Sequence, residues 1–308
     1  MIAQSLSSIS QNAIRSGFYS RRYILWDDLS HIKKCHTISK CCYNRMEHIN
    51  ISKEVWGFTL IGIILAAGRG QRLSRDVDLE KVGPKCLLTI NGYTLLERVV
   101  SDLTSLNVNR INIVVGYKAD LVQKACTTLR KKYGVSFNLV HNSDYLSTNT
   151  AYSLHIGLND VYDDVVIFNG DVLYDYTILN NLLKIDQTAI SVDNKRALTD
   201  ESFKIRIVNS QIEEMGKSVP IENATGEFIG ISKVARSDLK ESKRLLKSLV
   251  SDNLKNYYDF MYQSLSKDGS LAYSFTNGLK WTEIDDIHDL TYAKNIAEIS
   301  DYARGQIR

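Results

Sequence analysis

The sequence predicts an α/β fold, with one mixed, mostly parallel sheet flanked by helices. From residue 60 onward, short apolar strands alternate with amphipathic helices, as in βα units that feed a parallel sheet. Several strands end in glycine or an acidic residue, and such ends gather at the sheet edge where ligands of open α/β sheets bind. With 308 residues, 44% of them apolar, the chain can bury a large core. We therefore predict one domain over residues 59–308, preceded by a different segment over 1–58.

The first half of the predicted domain runs from strand to loop to helix in turn. The first strand, Leu60 to Leu65, stops at two alanines and a Gly-x-Gly loop. Asn91-Gly92 marks a tight turn, and Thr94 with Glu97 forms a capping box for the next helix. Further on, the pattern predicts a strand over 111–115, a helix over 119–132, a strand over 136–141, a helix from about Thr150 and a strand over 164–168.

The second half is predicted to add a small β lid and a closing segment. Residues 187–235 contain short β segments separated by turn residues, which predicts an insertion on one side of the sheet. Beyond it the sequence predicts helices over about 236–250 and 254–267, a closing strand over 279–284 and a final helix from about Asp286.

A glycine-rich loop follows the first strand. It contains Gly68-x-Gly70, with Arg72 and Lys85 close behind. Glycines let backbone N–H groups approach the oxygens of a polyphosphate, and the two cations neutralise its charge. The dinucleotide-binding fingerprint requires a third glycine where this chain has Leu73, so the sequence does not fit a Rossmann dehydrogenase.

Two acidic segments predict a metal site. Asp171 follows a buried strand, and Glu283 and Asp285 share one face of the closing strand. Acids crowded at strand ends are costly without a cation, and Mg²⁺ prefers one or two carboxylates together with phosphate oxygens. We therefore predict Mg²⁺ at Asp171 and Asp285, with Glu283 assisting. For Asp286 and Asp289 we favour capping of the last helix.

Together these residues resemble the signature of the sugar-nucleotide-type nucleotidyltransferases, which transfer a nucleoside monophosphate from an NTP to a phosphorylated acceptor. The resemblance begins with L-A-A-G-x-G-x-R-L followed by P-K. Further segments are similar to the cytidylyltransferase branch, which activates phosphocholine, 2-aminoethylphosphonate, inositol phosphate and related acceptors. They are the ending W-x-E-I-D, Asn142-x-x-Tyr145-x-x-Thr148-Asn149-x-x-x-Ser153-Leu154, Gly170-Asp171-Val172, Met215-Gly216-Lys217 and Gly226-Glu227-Phe228. The resemblance covers residues 60 to about 300. It implies a Rossmann-like (GT-A-like) fold and Mg²⁺-dependent transfer of CMP from CTP, with release of pyrophosphate.

The resemblance also implies a role for each candidate site residue. Nucleotide binding is implied for Leu65, Ala66, Ala67, Gly68, Gly70, Arg72, Lys85, Gly116 and Thr148. Catalysis is implied for Arg72, Lys85 and Asp171, and metal binding for Asp171, Asp285 and Glu283. Acceptor contacts are implied for Asn149, Lys204, Lys217 and Glu227, although both lysines also fit a solvated surface. An acceptor that is already an anion needs no general base, and none of the six histidines lies in a pattern that demands catalysis.

Other functions stay open at this point. A sugar-1-phosphate nucleotidyltransferase using UTP, dTTP or GTP fits the loop and Lys85, but the W-x-E-I-D ending favours the cytidine branch. A glycosyltransferase usually carries Asp-x-Asp where this chain has Gly170-Asp171-Val172. A non-catalytic, nucleotide-sensing homologue should have lost the charged site residues, which are present here. The residues do not choose among a choline, an aminoalkyl and a polyol acceptor.

Composition separates residues 1–58 from the rest. They contain eight Lys/Arg against four Asp/Glu, whereas the remaining 250 residues carry 30 against 31. The body therefore lacks the basic excess of a nucleic-acid-binding protein, and no apolar run approaches the roughly 20 residues of a membrane span. The segment 1–58 fits an organelle-targeting sequence, a misplaced start ahead of Met46 or a genuine appendage. We expect a cytoplasmic enzyme unless the segment targets it to an organelle, and the resemblance is compatible with a homodimer.

Overall fold

A computed structural model describes residues 59–267, 269 and 271–303, so the extension predicted over 1–58 lies outside the described residues. The strands of the first half are β1 (Leu60–Ala66), β2 (Thr89–Ile90), β3 (Tyr93–Thr94), β4 (Arg110–Val115), β5 (Ser136–His141), β6 (Asp164–Asn169) and β7 (Val172–Tyr174). Its helices are α1 (Leu79–Val82), α2 (Leu95–Ser105), α3 (Ala119–Tyr133), α4 (Thr150–Gly157) and α5 (Tyr176–Leu183). The second half contains β8 (Ala189–Asp193), β9 (Lys204–Val208), β10 (Gln211–Gly216), β11 (Gly226–Val234), α6 (Arg236–Asp252), α7 (Asp259–Ser266), β12 (Ala272–Phe275), β13 (Trp281–Glu283) and α8 (Ile287–Ala303).

Nine strands form the central sheet. Its main path runs β10-β9-β11-β6-β1-β4-β5, and β8 and β12 join it beside β11. β1 pairs in parallel with both β4 and β6, and β5 pairs in parallel with β4. β11 runs antiparallel to β6, so the sheet is mixed, as predicted. Because β1, β4 and β6 point the same way, their C-terminal ends lie side by side at one edge.

The apolar run of β1 is buried on both of its faces. Ile64 and Ala66 pack into a core cluster with residues of α2 and α3, whereas the opposite face packs with residues of α4, α6 and α7. The β1 residues on that opposite face are Ile61, Ile63 and Leu65. Burial on both faces explains why this strand is an unbroken apolar run. Of the helices in the described residues, none combines the length and apolar character that a bilayer span requires.

The predicted turn and helix cap before α2 are confirmed. Asn91 and Gly92, at the tip of the β2–β3 hairpin, both adopt positive φ, at 50° and 83°. The Thr94 hydroxyl oxygen then accepts a hydrogen bond from the Glu97 N–H at 3.0 Å. Local sequence chemistry therefore fixes where this helix begins.

The β segments predicted over 187–235 are present, and they extend the central sheet. β11 is buried along its whole length and pairs antiparallel with β6, β8 and β9. Gly230 lies where its register with β8 shifts, and it has a φ of 78°. A Cβ at Gly230 would lie 2.6 Å from the side-chain amide nitrogen of Asn169, at the end of β6. Glycine therefore lets the Asn169 side chain lie against β11.

The C-terminal segment differs from the prediction in three respects. α7 begins at Asp259, later than the helix predicted over 254–267. β13 is shorter than the strand predicted over 279–284, and it pairs antiparallel with β7 in a separate two-stranded ribbon. β12, which pairs with β8, is not predicted, because four half-buried residues are too few to show a periodic pattern. The capping prediction is confirmed: Asp286 Oδ1 accepts from the Asp289 N–H at 3.0 Å, and Asp289 Oδ2 accepts from the Asp286 N–H at 3.2 Å.

Candidate active site

The loop after β1 lies against the side chain of Lys85. Gly70 has a φ of 68°, and a Cβ there would lie 3.0 Å from the Lys85 Cγ. The Gly70 carbonyl accepts a hydrogen bond from the Ser74 N–H at 3.0 Å, which closes the turn. A Cβ at Gly68 would meet nothing within 4 Å, so the surface of the loop is open there. Glycine thus brings an open stretch of backbone and a cation together.

Asp171, Glu283 and Asp285 meet at one point, although they come from two distant segments. One carboxylate oxygen of each lies within 4.8 Å of the others. The β7–β13 ribbon sets their spacing, because Glu283 pairs with Val172 and the Ile284 N–H donates to the Asp171 carbonyl at 3.0 Å. Ile284 is fully buried, as predicted, and anchors the end of the ribbon. We call these three acids the carboxylate cluster.

Two cations contact the carboxylate cluster. The Lys85 Nζ lies 3.0 Å from Asp171 Oδ2 and 2.6 Å from Asp285 Oδ1. The exposed Arg72 guanidinium lies 2.6 Å from Asp285 Oδ2. Burial would lower the pKa of Lys85, but the charges of Asp171 and Asp285 outweigh burial and raise that pKa. Lys85 is therefore a charged bridge between the two segments.

The carboxylate cluster has the donor set of a divalent cation site. Burial, and then the charges of Asp171 and Asp285, raise the pKa of Glu283 well above its ordinary value. Such a rise marks an acid whose charge is not balanced by its surroundings. Three carboxylates with oxygens this close fit a hard cation that prefers oxygen ligands. The cluster residues could therefore hold Mg²⁺.

A first cavity, of about 180 Å³, adjoins the glycine-rich loop. Seven of the nine predicted nucleotide-binding residues line it, namely Leu65, Ala66, Ala67, Gly68, Gly70, Lys85 and Thr148. Arg72 lines the second cavity instead. Gly116 lines neither: a Cβ there would lie 2.8 Å from the Ala67 carbonyl oxygen and 2.8 Å from the Tyr145 Cβ. The structure therefore gives Gly116 a packing role, because its missing side chain lets Tyr145 lie against the loop.

A buried polar network forms one wall of the first cavity. The Asn142 side-chain amide donates to the Thr148 hydroxyl at 3.0 Å and to the Ser153 hydroxyl at 3.1 Å. Its carbonyl oxygen accepts from the Asp144 N–H at 3.0 Å, and the Thr148 hydroxyl also donates to the Asp144 carbonyl at 2.9 Å. The sequence analysis gives Asn142 and Ser153 no role, although the family motif contains both. The network holds Thr148 in a fixed orientation toward the cavity.

A second cavity, of about 620 Å³, adjoins the first. Thr150, Asn169 and Glu283 line both cavities, while Asp171 lines the first and Asp285 the second. The carboxylate cluster therefore stands at the junction. Two ligands placed in the two cavities would meet there.

Three of the four predicted acceptor residues line a cavity. Lys217 and Glu227 line the second cavity, and Asn149 lines the first. The Lys217 Nζ lies 2.8 Å from a Glu201 carboxylate oxygen, and burial raises the pKa of Glu227. The Asn149 side-chain oxygen accepts from the Thr150 N–H at 2.8 Å, which caps α4.

Lys204 is placed differently from both interpretations of the sequence. It is 1% exposed, and its Nζ lies 3.3–3.4 Å from the carbonyl oxygens of Thr199, Asp200 and Ser202. It lines neither cavity. Backbone carbonyls replace water around its ammonium, so Lys204 is neither an acceptor contact nor a solvated lysine here. It holds the turn over residues 199–202.

Arg196, Tyr258 and Asp259 are among the residues of the second cavity to which the sequence analysis assigns no role. The Tyr258 hydroxyl donates to the Asn169 side-chain oxygen at 3.0 Å. Asp259 begins α7, and burial raises its pKa to about 7. No spacing in the sequence marks these residues, because they reach the cavity only through the packing of α7 and the loop after β8.

The sequence is similar to those of known proteins. Residues 62–218 match the family model described as a MobA-like NTP transferase domain. A CTP:phosphoglutamine cytidylyltransferase of Campylobacter jejuni is 25% identical over 253 residues, which cover 74% of this chain and 96% of that protein. A choline-phosphate cytidylyltransferase of Streptococcus pneumoniae is 26% identical over 232 residues, which cover 74% of this chain and 93% of that protein.

Solved structures show the same fold. A CTP:phosphocholine cytidylyltransferase of Streptococcus pneumoniae matches with a TM-score of 0.64 and 24% identity, over 78% of this chain and 99% of that one. A Bacillus anthracis protein provisionally named a glucose-1-phosphate thymidylyltransferase matches with a TM-score of 0.64 and 22% identity. The match covers 78% of this chain and 95% of that one. The family match spans half of this chain and includes the glycine-rich loop, Lys85 and Asp171. The chain is therefore a nucleotidyltransferase and belongs to the MobA-like NTP transferase family.

Proposed function

We propose that this chain transfers CMP from CTP to a small phosphorylated or phosphonate acceptor, in a Mg²⁺-dependent reaction that releases pyrophosphate. The observation that carries the proposal is the carboxylate cluster at the junction of two cavities, with Lys85 bridging Asp171 and Asp285. CTP as the donor is supported by the W-x-E-I-D ending and by two of the relatives, the phosphoglutamine and choline-phosphate cytidylyltransferases described above.

In this proposal the first cavity takes the nucleotide. The backbone from Leu65 to Gly68 and the oriented Thr148 hydroxyl would meet the base and ribose. The open backbone of the loop up to Gly70 would meet the triphosphate, with Lys85 beside it. The cavity lining supports this assignment, because it combines apolar side chains and open loop backbone with the Lys85 cation.

The carboxylate cluster would hold Mg²⁺, chiefly through Asp171 and Asp285. The bound ion would neutralise negative charge on the phosphate oxygens. Lys85 and Arg72 would then exchange carboxylate contacts for phosphate contacts and stabilise the charge that develops on the leaving pyrophosphate. Preorganised cations of this kind account for catalysis without a covalent intermediate.

The second cavity would take the acceptor, whose anionic oxygen attacks the α-phosphorus in line with the leaving pyrophosphate. Such an oxygen is already a nucleophile, so the site needs no general base. Among the described residues there are three histidines, His141, His155 and His288, and none of them lines either cavity. Lys217 and Glu227 are the proposed acceptor contacts. The protein contributes position and charge balance.

The test is a matrix of pyrophosphate-release assays with Mg²⁺. CTP, UTP, GTP, dTTP and ATP are crossed with phosphocholine, 2-aminoethylphosphonate, inositol-1-phosphate, glycerol-3-phosphate and several sugar-1-phosphates. Release with CTP and one small acceptor is the expected result, and EDTA and the Asp171→Asn variant control for contaminating activity. Release only with UTP, dTTP or GTP and a sugar phosphate would replace the proposal with a sugar-nucleotide function. CTP binding without turnover on any acceptor would favour a nucleotide-sensing role.

A further inference from the structure

Within the described residues, one cation of the second cavity has no acidic partner. Arg72, Arg196 and Lys217 line this cavity. Arg72 is paired with Asp285, and Lys217 is paired with Glu201. Over the part of the chain that the structure describes, no carboxylate lies at ion-pair distance from Arg196. Its charge is therefore available to a ligand.

Two aromatic rings hold the Arg196 guanidinium instead. Its Cζ lies 5.5 Å from the centroid of the Trp281 ring and 5.7 Å from that of Tyr292. Cation–π contacts of this kind hold the charge while the N–H groups stay free to donate within the plane of the guanidinium. This planar set of donors matches the oxygens of a phosphate, phosphonate or carboxylate.

A single buried carboxylate fixes both the arginine loop and the ring beside it. Asp193 is 4% exposed, and its Oδ1 accepts from the N–H groups of Lys195 and Arg196 at 2.8 and 3.4 Å and from the Thr276 hydroxyl at 2.9 Å. Its Oδ2 accepts from the Trp281 indole N–H. An arginine held in this way loses less conformational entropy when it binds an anion than a solvated arginine does.

Trp281 connects the Arg196 guanidinium with the strand that carries Glu283. Trp281 and Glu283 lie on one face of β13, two residues apart, which corresponds to about 7 Å along a strand. The charge of Arg196 also reaches into the cavity: burial raises the pKa of Glu227, and Arg196 is among the groups that oppose this rise. Arg196 therefore shares a cavity with two of the three cluster acids, Glu283 and Asp285.

We propose that Arg196 is a specificity-determining residue that binds the oxyanion of the acceptor, a phosphate monoester or phosphonate, through its in-plane N–H groups. The inference rests on the proposed function and adds to it a residue outside the family motifs. The acceptor's phosphoryl group would lie between Arg196 and the carboxylate cluster. Its attacking oxygen would face the first cavity.

Steady-state kinetics of three variants test this role. Arg196→Gln should raise the KM for the acceptor roughly 10- to 100-fold, the range for loss of a charge-assisted hydrogen bond, and leave the KM for CTP within about twofold. Arg196→Lys keeps the charge but loses the planar donors. Its KM for the acceptor should therefore lie between those of the wild type and Arg196→Gln. Lys195→Gln, the matched control, removes a neighbouring charge from the same loop and should behave as the wild type. An unchanged acceptor KM in Arg196→Gln, or an equal rise in Lys195→Gln, would overturn the inference.

Anion binding gives a readout that does not depend on turnover. The chain contains three tryptophans. The double variant Trp26→Phe/Trp56→Phe therefore leaves Trp281, beside Arg196, as the only source of tryptophan fluorescence. Titration with methylphosphonate should change its fluorescence saturably, and Arg196→Gln should abolish that change. A titration unaffected by Arg196→Gln would contradict the inference. If the wild type turns over CTP but Arg196→Gln keeps its acceptor KM, only this inference fails; if no acceptor supports turnover, the proposed function fails.

Discussion

Replacing Lys85 with methionine removes the ammonium that bridges Asp171 and Asp285 while keeping much of the side-chain volume. In the metal-free protein this leaves three neighbouring acids without their main counter-ion. Removing one partner of a buried ion pair costs about 3–5 kcal/mol. Lys85 is 13% exposed and its partners are 21% and 22% exposed, so we take the lower figure, about 3 kcal/mol. For a domain of this size that corresponds to a Tm lower by roughly 6–12 °C.

The same substitution should change how the protein responds to Mg²⁺. On the proposed function, a divalent cation would compete with the Lys85 ammonium for Asp171 and Asp285 in the wild type. In Lys85→Met that competition is absent, so the free protein should bind the ion more tightly and gain more stability from it. Turnover should nevertheless fall by about 10²–10³ in kcat, because the variant lacks the cation that we propose stabilises the leaving pyrophosphate.

Thermal denaturation in EDTA and in saturating Mg²⁺, together with the pyrophosphate-release assay, measures all three effects. Lys81→Met is the matched control. The Lys81 side chain is 86% exposed and lies 3.2 Å from Asp78, so its loss should change the Tm little. If Lys85→Met kept the wild-type Tm in EDTA and gained no extra stability from Mg²⁺, the idea that Lys85 balances the carboxylate cluster would be refuted.

Two further substitutions test the acidic residues. Asp171→Asn should lower kcat by about 10²–10³ and weaken Mn²⁺ binding measured by electron paramagnetic resonance; near-normal turnover would contradict the metal assignment. Burial raises the pKa of Asp259 from 3.8 to about 7, so the folded state loses stability as the pH rises from about 4 to 7. Asp259→Asn removes that loss and should raise the free energy of unfolding by up to about 4 kcal/mol at pH 8 and by less at pH 5. Urea denaturation at both pH values measures this, and an equal gain at the two would show that ionisation is not the cause.

Local patterns account for the features that the sequence predicts well. β1 is an unbroken apolar run because it is buried on both faces, and Thr94 caps α2 through a bond three residues away. Strand alternation places Glu283 and Asp285 at one end of β13, with Ile284 buried between them. These features depend on neighbours within a few residues.

The features that the sequence misses depend on distant contacts. Lys85 meets Asp171 and Asp285 across 86 and 200 residues of chain, and only the family resemblance groups them. Lys204 looks like a surface or ligand lysine, but the carbonyls of its own turn surround it. Arg196 has no motif, since its place depends on the Asp193 anchor and the Trp281 ring.

The β7–β13 ribbon has a consequence for how the enzyme is made. Glu283 and Asp285 lie well beyond residue 218, where the family match ends, and they reach Asp171 only when β13 pairs with β7. A product shortened before residue 281, by a premature stop codon or by proteolysis, would retain the glycine-rich loop, Lys85 and Asp171. It would still be recognised as a family member, yet it would lack two of the three acids. On the proposed function, activity would have to wait until synthesis has passed residue 285. Turnover would then indicate that the C-terminal region is intact.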